Sequence, residues 1–190
     1  SLRKYYDEDI CFLIQKNEIK IKKLLKIFKC DFVVVDVHKF DIQLKRYEIY
    51  LNILNRTKYN KILLCDSRDI YFQSNPFDYS YKGLINFFLE DKKIRDCPYN
   101  SDWIIKTYGK KIYESIADNI INCSGTTLGD HESIKEYLNL MVSNSSRYKF
   151  KKKLKYFLTF RRDKAGRGVD QAHANYIVHK SIIKNVNFLS

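Results

Sequence analysis

The sequence predicts an α/β fold in which helices flank a mostly parallel central sheet. Short apolar runs typical of buried strands alternate with segments whose apolar residues recur at helical spacing, and such alternation implies crossover connections between parallel strands. The chain has 190 residues, 45% of them hydrophobic, so it can bury roughly 70% of the surface it would expose unfolded. With two prolines and six glycines, the composition excludes collagen-like and low-complexity classes. We therefore expect residues 1–190 to form a single domain.

The first third of the chain shows the alternation most clearly. The apolar run Ile10–Ile14 predicts a buried strand, and Glu18–Phe28 predicts a helix because its apolar residues lie among lysines at near-helical spacing. The β-branched segment Phe32–Val37 predicts the next strand. Arg46–Leu54 predicts a second helix with a broad apolar face, and Lys61–Cys65 predicts a third buried strand.

The pattern is less regular in the rest of the chain. Leu84–Leu89 predicts a strand, and Ile112–Ile121 and Ser133–Val142 predict helices. Val169–Val178 predicts a helix that follows a basic loop. No internal repeat and no linker divides the sequence.

Positive charge is concentrated in residues 147–167. The formal net charge is +13, and this segment holds ten basic residues and one acidic residue. A local excess of this kind predicts an anionic ligand, an anionic surface or a solvated loop. Because aromatic residues are interleaved with the charges, a non-catalytic nucleic-acid or anionic-surface binding module is an alternative function, although no zinc-finger spacing or helix-turn-helix signature accompanies them.

The sequence also indicates a compartment. No apolar run approaches the ~20 residues needed to cross a bilayer. The five cysteines are scattered and never form a C-x-x-C pair, which favours reduced thiols and a cytoplasmic protein.

The strongest indication of a functional site is a pair of acidic residues, Asp66 and Asp69, after the third predicted strand. Open α/β folds bind their ligands at the carboxyl ends of the strands. Hard cations such as Mg²⁺ or Mn²⁺ prefer oxygen ligands, and one or two carboxylates together with substrate phosphates complete their shell. The structural alternative is that Asp66 caps a turn and Asp69 pairs with a nearby lysine.

These residues resemble the passage into the DxD motif of GT-A glycosyltransferases, most closely the glycogenin-like and bacterial galactosyltransferase group. The resemblance runs through Arg46–Tyr50, Tyr59–Asp69 and Tyr71–Phe77, with the acids spaced D-x-x-D. Ile121–Gly125 resembles the N-x-G segment near the donor sugar. Gly168–Tyr176 resembles the D-Q-x-x-x-N helix start beside the reacting carbon.

The resemblance implies a GT-A-like, Rossmann-like fold and a metal-dependent enzyme. Such an enzyme moves a sugar from a UDP- or GDP-sugar to a carbohydrate or glycoprotein acceptor with Mn²⁺ or Mg²⁺. Asp66 and Asp69 would bind the metal, and Asp170 and Gln171 would lie at the reacting face of the sugar. The residues implied to bind the donor are Arg46, Asp66, Arg68, Asn122 and Gly125. A catalytically inactive domain of the same family is a further alternative.

At such a site, the Asp170 carboxylate could stabilise positive charge on the sugar. Glycosyl transfer passes through an oxocarbenium-like state, which a neighbouring carboxylate stabilises. Asp170 could instead act as a general base, or it could simply cap the helix that it begins. The resemblance to the glycogenin-like group favours a reaction that retains the configuration of the anomeric carbon.

The basic segment fits the same site. Arg161 and Arg162, on a loop before the last predicted helix, would contact the donor diphosphate. Lys149–Lys155 would face an acidic acceptor, a membrane surface or solvent, and no nucleic-acid partner is expected. His173 and His179 are weaker candidates for a third metal ligand. The start of the sequence matches the helix after the usual first strand, which suggests a fragment of a longer chain.

Overall fold

The computed structural model describes residues 1–36, 42–68, 70–79, 82–159 and 168–189, without the side chains of residues 155, 156 and 159. Contacts divide the chain into two units, one formed by residues 1–42 with 67–80 and the other by residues 43–66 with 81–190. Each unit combines helix with strand, so the predicted α/β class is confirmed.

The smaller unit contains a β-α-β arrangement. Strand β1 (Cys11–Gln15) pairs in parallel with β2 (Asp31–Val35), and helix α1 (Ile19–Ile27) connects them. Parallel neighbours need such a crossover, because the end of one strand and the start of the next lie at opposite edges. The side chains buried in these elements are Ile14, Leu25 and Val35. The first three predicted elements are thus confirmed.

The larger unit holds the other main elements. Its strands are β3 (Lys61–Cys65), β4 (Ile85–Lys93), β5 (Ile120–Asp130) and β6 (Val186–Leu189). Its helices are α2 (Ile42–Leu54, whose first residue belongs to the smaller unit), α3 (Pro98–Tyr108), α4 (Lys110–Ile116), α5 (His131–Thr159) and α6 (Val169–His179). A 3₁₀ turn, Ile94–Asp96, follows β4.

The strands of the larger unit form a mixed sheet in the order β3-β5-β4-β6. β5 pairs antiparallel with both β3 and β4, while β4 and β6 are parallel. Consequently β3, β4 and β6 point one way and β5 points the other, and two of the three strand pairings are antiparallel. The prediction of a mostly parallel sheet therefore needs correction. It missed β5, whose Asn, Ser and Gly residues have low strand propensity and are held extended by pairing on both edges.

Two helix predictions also need correction. The helix predicted over Ile112–Ile121 ends at Ile116, and Ile120 already begins β5. Helix α5 continues through residue 159, so the first part of the basic segment is helical rather than a loop. The stretch from residue 131 to 159 contains no glycine or proline to interrupt a helix, which accounts for its length.

The main core lies between the sheet and α2, α5 and α6. An aromatic group at its centre joins three elements: the Tyr137 ring packs edge-on against Phe87 at 5.2 Å and against Tyr47 at 6.3 Å between ring centroids. This packing fixes α2 beside the sheet and so fixes Arg46, the neighbour of Tyr47. A second cluster packs beside the first turn of α6 and contains Ile94, Ile104, Ile116, Ile121 and Ala172. Within the described ranges, no helix is both long enough and apolar enough to cross a membrane.

Candidate functional site

Asp66 lies directly after β3, at the edge where that strand ends. Its backbone N–H donates to the Gly125 carbonyl at 2.8 Å, which extends the pairing with β5 by one residue. Because β5 runs antiparallel to β3, the segment 120–125 reaches beyond the end of β3. This part of β5, together with α6 packed on it, forms the wall beside Asp66.

Arg46 connects two of the predicted acids. Its Nη1 donates to Asp66 Oδ1, and its Nη2 donates to Asp170 Oδ2 at 3.0 Å. The same Nη2 lies 3.0 Å from the Tyr47 hydroxyl and 3.3 Å from the Ser124 carbonyl. The side chains of Arg46 and Asp170 are only 14% and 9% exposed, whereas that of Asp66 is 48% exposed. Arg46 and Asp170 are thus a largely buried ion pair with a half-exposed carboxylate on its outer side.

The pKa values of both partners in this ion pair are raised, for different reasons. Burial alone lowers the pKa of Arg46, but Tyr47, Asp170 and Asp66 together raise it to well above its ordinary value. Burial raises the pKa of Asp170, and the charge of Arg46 offsets part of that rise. Arg46 is therefore a permanent cation held between two carboxylates.

Gly125 allows the Asp66 carboxylate to lie against the β5 backbone. A Cβ at position 125 would be 2.9 Å from Asp66 Oδ2 and 3.3 Å from its Cγ. A side chain there would displace the acid. Because Gly125 has no side chain, the Asp66 carboxylate can keep its position.

Gln171 uses its amide to join α6 to β5. Its Oε1 accepts from the Ser124 N–H at 2.8 Å, and its Nε2 donates to the Asn122 carbonyl at 2.9 Å and to Glu90 Oε1 at 3.1 Å. Asn175, one turn later, bonds both backbone groups of Asn122, at 2.9 Å to the N–H and 3.2 Å to the carbonyl. With these bonds, Gln171 holds the start of α6 against β5. That Gln171 faces the sugar remains a prediction.

The side chain of Asn122 is fully buried. Its backbone is bonded as described, but neither its Oδ1 nor its Nδ2 has a hydrogen-bond partner among the described residues. A buried amide without partners costs about 1–3 kcal/mol per group. The Asn122 side chain, in the segment that forms the wall, therefore has unused hydrogen-bonding capacity.

A further carboxylate, Glu90, was missed by the sequence reasoning. It lies on β4 and is joined to the site by Gln171, and partial burial raises its pKa. The signal was present, since Glu90 follows the predicted strand Leu84–Leu89 as directly as Asp66 follows β3. With Asp66, Asp170 and Arg46, the described cluster holds three carboxylates and one cation.

The cleft beside these residues is small. It comprises about 230 Å³, open solvent included, and Arg46, Asp66, Ser124 and Gly125 line its polar side. Only about 10 Å³ of that space is enclosed, roughly the room that one water molecule needs. The enclosed part of the cleft therefore does not hold a nucleotide sugar, most of which would lie on the open side.

Several predicted site residues cannot be placed at this cluster. Asp69, Arg161 and Arg162 lie outside the described residues. Arg68 is exposed and belongs to the smaller unit. Within the described part of the chain, no group of three or more His, Cys, Asp or Glu side chains could hold a metal ion.

Both candidate histidines lie in α6, where His173 is buried and His179 is half-buried, and His173 has a defined partner. Its Nδ1 lies 2.6 Å from the Tyr108 hydroxyl, which donates to Asn144 Oδ1 at 3.1 Å. Since the hydroxyl hydrogen is used on Asn144, Nδ1 of His173 carries the hydrogen of its own bond. Burial lowers the pKa of His173 to about 4.

The lowered pKa of His173 predicts acid sensitivity. Between its ordinary value of about 6.5 and about 4, the unfolded chain binds the proton and the folded chain does not, so stability falls as the pH falls through this window. The expected loss is about 3 kcal/mol, from about 1.4 kcal/mol per pH unit. Urea unfolding at several pH values should show this loss, and His173→Gln should reduce it. An unchanged pH dependence in the variant would contradict this assignment.

Comparisons with known proteins identify no relative: no protein-family model matches the chain, and no curated protein matches it.

Proposed function

We propose that this chain is a glycosyltransferase domain of the GT-A type, which moves a sugar from a nucleotide diphosphate sugar to a carbohydrate or glycoprotein acceptor. One observation carries the proposal. Arg46 joins Asp66 and Asp170, which are 20 and 124 residues away in sequence. The sequence resemblance alone had placed all three at one site.

The surrounding contacts support the same conclusion. Gly125 accommodates the Asp66 carboxylate, and Gln171 holds α6 against the β5 backbone at Asn122 and Ser124. Six residues expected in donor binding or catalysis are therefore connected by direct contacts: Arg46, Asp66, Asn122, Gly125, Asp170 and Gln171. The alternative that Asp66 only caps a turn accounts for none of these connections.

The direction of the strands is compatible with this proposal. In the larger unit, β3, β4 and β6 point the same way. Asp66 follows β3 directly, and Glu90 lies in the second half of β4, so both lie toward the edge at which these strands end. α/β proteins bind ligands at such edges. The reversed strand β5 does not interfere, because its first residues extend that edge.

The residues of the cluster suit the chemistry of the reaction. The Arg46 guanidinium is suited to bind a diphosphate oxygen, since it stays charged and presents planar donors. Asp170 supplies a largely buried carboxylate, whose charge would stabilise the positive charge that develops on the sugar. Gln171 keeps Asp170 in position, because both residues lie in the first turn of α6 and Gln171 is bonded to β5.

We place the proposed divalent cation on the exposed side of this cluster. Asp66 is half exposed, carries the hard oxygen donors that Mn²⁺ and Mg²⁺ prefer, and belongs to a group with more carboxylates than cations. Asp66 and Asp69 are the residues that would hold the ion. When bound, it would neutralise the leaving diphosphate.

Donor binding should therefore raise the melting temperature in a way that depends on Asp66. At ~100 times the dissociation constant, a UDP- or GDP-sugar with Mn²⁺ should raise it by about 5–10 °C. Asp66→Asn should reduce the shift to about half or less, and Asp69→Ala should abolish it. The matched control is Asp118→Asn, an exposed acid paired with Arg95, which should keep the full shift. A full shift in Asp66→Asn would contradict the proposal.

The alternative function is a non-catalytic module that binds nucleic acid or an anionic surface through residues 147–167. It predicts no donor-dependent shift, together with a salt-steep association that is insensitive to Asp66→Asn.

A further inference from the structure

The second half of α5 exposes a row of large apolar side chains. Phe150, Leu154, Phe157 and Leu158 are 68%, 49%, 76% and 70% exposed. We call these four residues the apolar stripe. Apolar residues exposed singly are ordinary, but four that share one narrow face of a helix are not. The four on α1, which are Ile19, Ile21, Leu24 and Ile27, are spread over roughly 200° of that helix.

The apolar stripe lies on one face of the helix. With about 100° between successive α-helical residues, its four members fall within an arc of roughly 100°. The residues that α5 buries, among them Leu138 and Met141, fall roughly opposite. Tyr148 also lies on that opposite side and packs edge-on against His173, with 6.0 Å between ring centroids. The face of α5 that packs on the core is therefore not the face that carries the apolar stripe.

Lysines border the apolar stripe on both sides. Lys151 and Lys153 flank it on the helix surface and are exposed, and Lys149 lies further round, 3.7 Å from Glu48. Residues 147–159 include no acidic residue. The segment therefore combines an exposed apolar face with a positive border.

We propose that the second half of α5 is a membrane-docking surface, which lies in the headgroup region of an anionic bilayer with the apolar stripe directed into the lipid. Interfacial helices have this composition: aromatic and leucine side chains on one face and lysines around it. Acidic headgroups attract the lysines, and the acyl boundary takes up the apolar side chains. This inference does not depend on the proposed transferase activity.

Charge and shape favour a lipid surface over other occupants. A nucleic acid would satisfy the lysines, and the two phenylalanines could stack on bases, but Leu154 and Leu158 would stay in water. A second copy of this helix would bring its own row of lysines, so the two borders would repel.

The test is co-sedimentation of the full chain with vesicles. We expect binding to phosphatidylcholine vesicles that contain phosphatidylserine, and at least about tenfold weaker binding to phosphatidylcholine alone. Phe157→Ser with Leu158→Ser should weaken binding to the anionic vesicles by about tenfold or more. Lys151→Gln with Lys153→Gln should do the same and reduce the salt dependence.

Helix α1 offers matched controls, because it too carries exposed apolar residues among lysines. Ile19 and Ile27 are 65% and 74% exposed, close to the values for the tested pair. Ile19→Ser with Ile27→Ser should leave vesicle binding unchanged, as should Lys20→Gln with Lys23→Gln. Equal loss in these controls would overturn the proposal, and so would absence of vesicle binding by the unmodified chain.

A variant that retains the apolar face guards against loss of folding. Phe157→Trp should show a blue shift of its emission on addition of anionic vesicles, beyond any change of Trp103 in the unmodified chain. No shift would overturn the proposal. Binding to a single-stranded polynucleotide with the affinity unchanged by Phe157→Ser and Leu158→Ser, in the absence of vesicle binding, would assign the segment to nucleic acid instead.

Discussion

Replacing Arg46 by alanine is expected to lower the free energy of unfolding by about 3–5 kcal/mol. The variant leaves Asp170 largely buried without its cation, and it also removes the partner of Asp66. The cost arises chiefly from the uncompensated charge, since an isolated carboxylate in such a place is strongly disfavoured. Urea unfolding at neutral pH measures the loss.

Two further variants separate this cause from ordinary loss of packing. In the Arg46→Ala background, Asp170→Asn removes the stranded charge and should restore a large part of the stability. Arg95→Ala breaks an exposed pair with Asp118 and should cost no more than about 1 kcal/mol. If Arg46→Ala cost no more than Arg95→Ala, the buried ion pair would not be formed as described.

Gly168→Ala is expected to cost about 3 kcal/mol or more, from two separate causes. Gly168 has a φ of +78°, which a residue with a Cβ adopts only with strain. A Cβ there would also lie 2.1 Å from the nearest atom of the Trp103 ring, so the ring or the start of α6 must move. Because Asp170 and Gln171 lie two and three residues after Gly168, the substitution should disturb the site as well as the fold.

A double-mutant cycle with Trp103 separates the two causes. In a Trp103→Val background the collision is absent, so Gly168→Ala should cost only the backbone strain, about 1–2 kcal/mol. Unfolding in urea gives all four free energies. An identical cost in both backgrounds would show that the Trp103 ring does not pack over Gly168.

The elements that the sequence predicted correctly are those with a strong local pattern. The β-branched run at Phe32–Val35 and the apolar run at Lys61–Cys65 indicate strands without reference to the rest of the chain. β5 lacks such a pattern, because its extended conformation depends on partners in β3 and β4. The helical continuation of α5 was missed because dense lysine was interpreted as a solvated loop, although lysine is a good helix former.

The sequence was enough to select residues of the candidate site, but it did not show which of them contact each other. The acids Asp66 and Asp170 could be selected from their position after a strand and at a helix start. That both share Arg46 depends on how α2, β3 and α6 pack together, which no local pattern records. The bonding of Gln171 to the β5 backbone was hidden for the same reason, because β5 itself was not predicted.

The central claim is that Arg46 directly, and Asp66 through a divalent cation, bind the diphosphate of a nucleotide sugar. Equilibrium titration of the unmodified chain with UDP- and GDP-sugars in the presence of Mn²⁺ tests it most directly. We expect saturable binding of one donor at one site per chain, and at least about tenfold weaker binding in Asp66→Asn, since a charged contact to the donor site contributes about 1.5–3 kcal/mol. Binding that is unchanged in Asp66→Asn, or no binding of any donor, would contradict the claim.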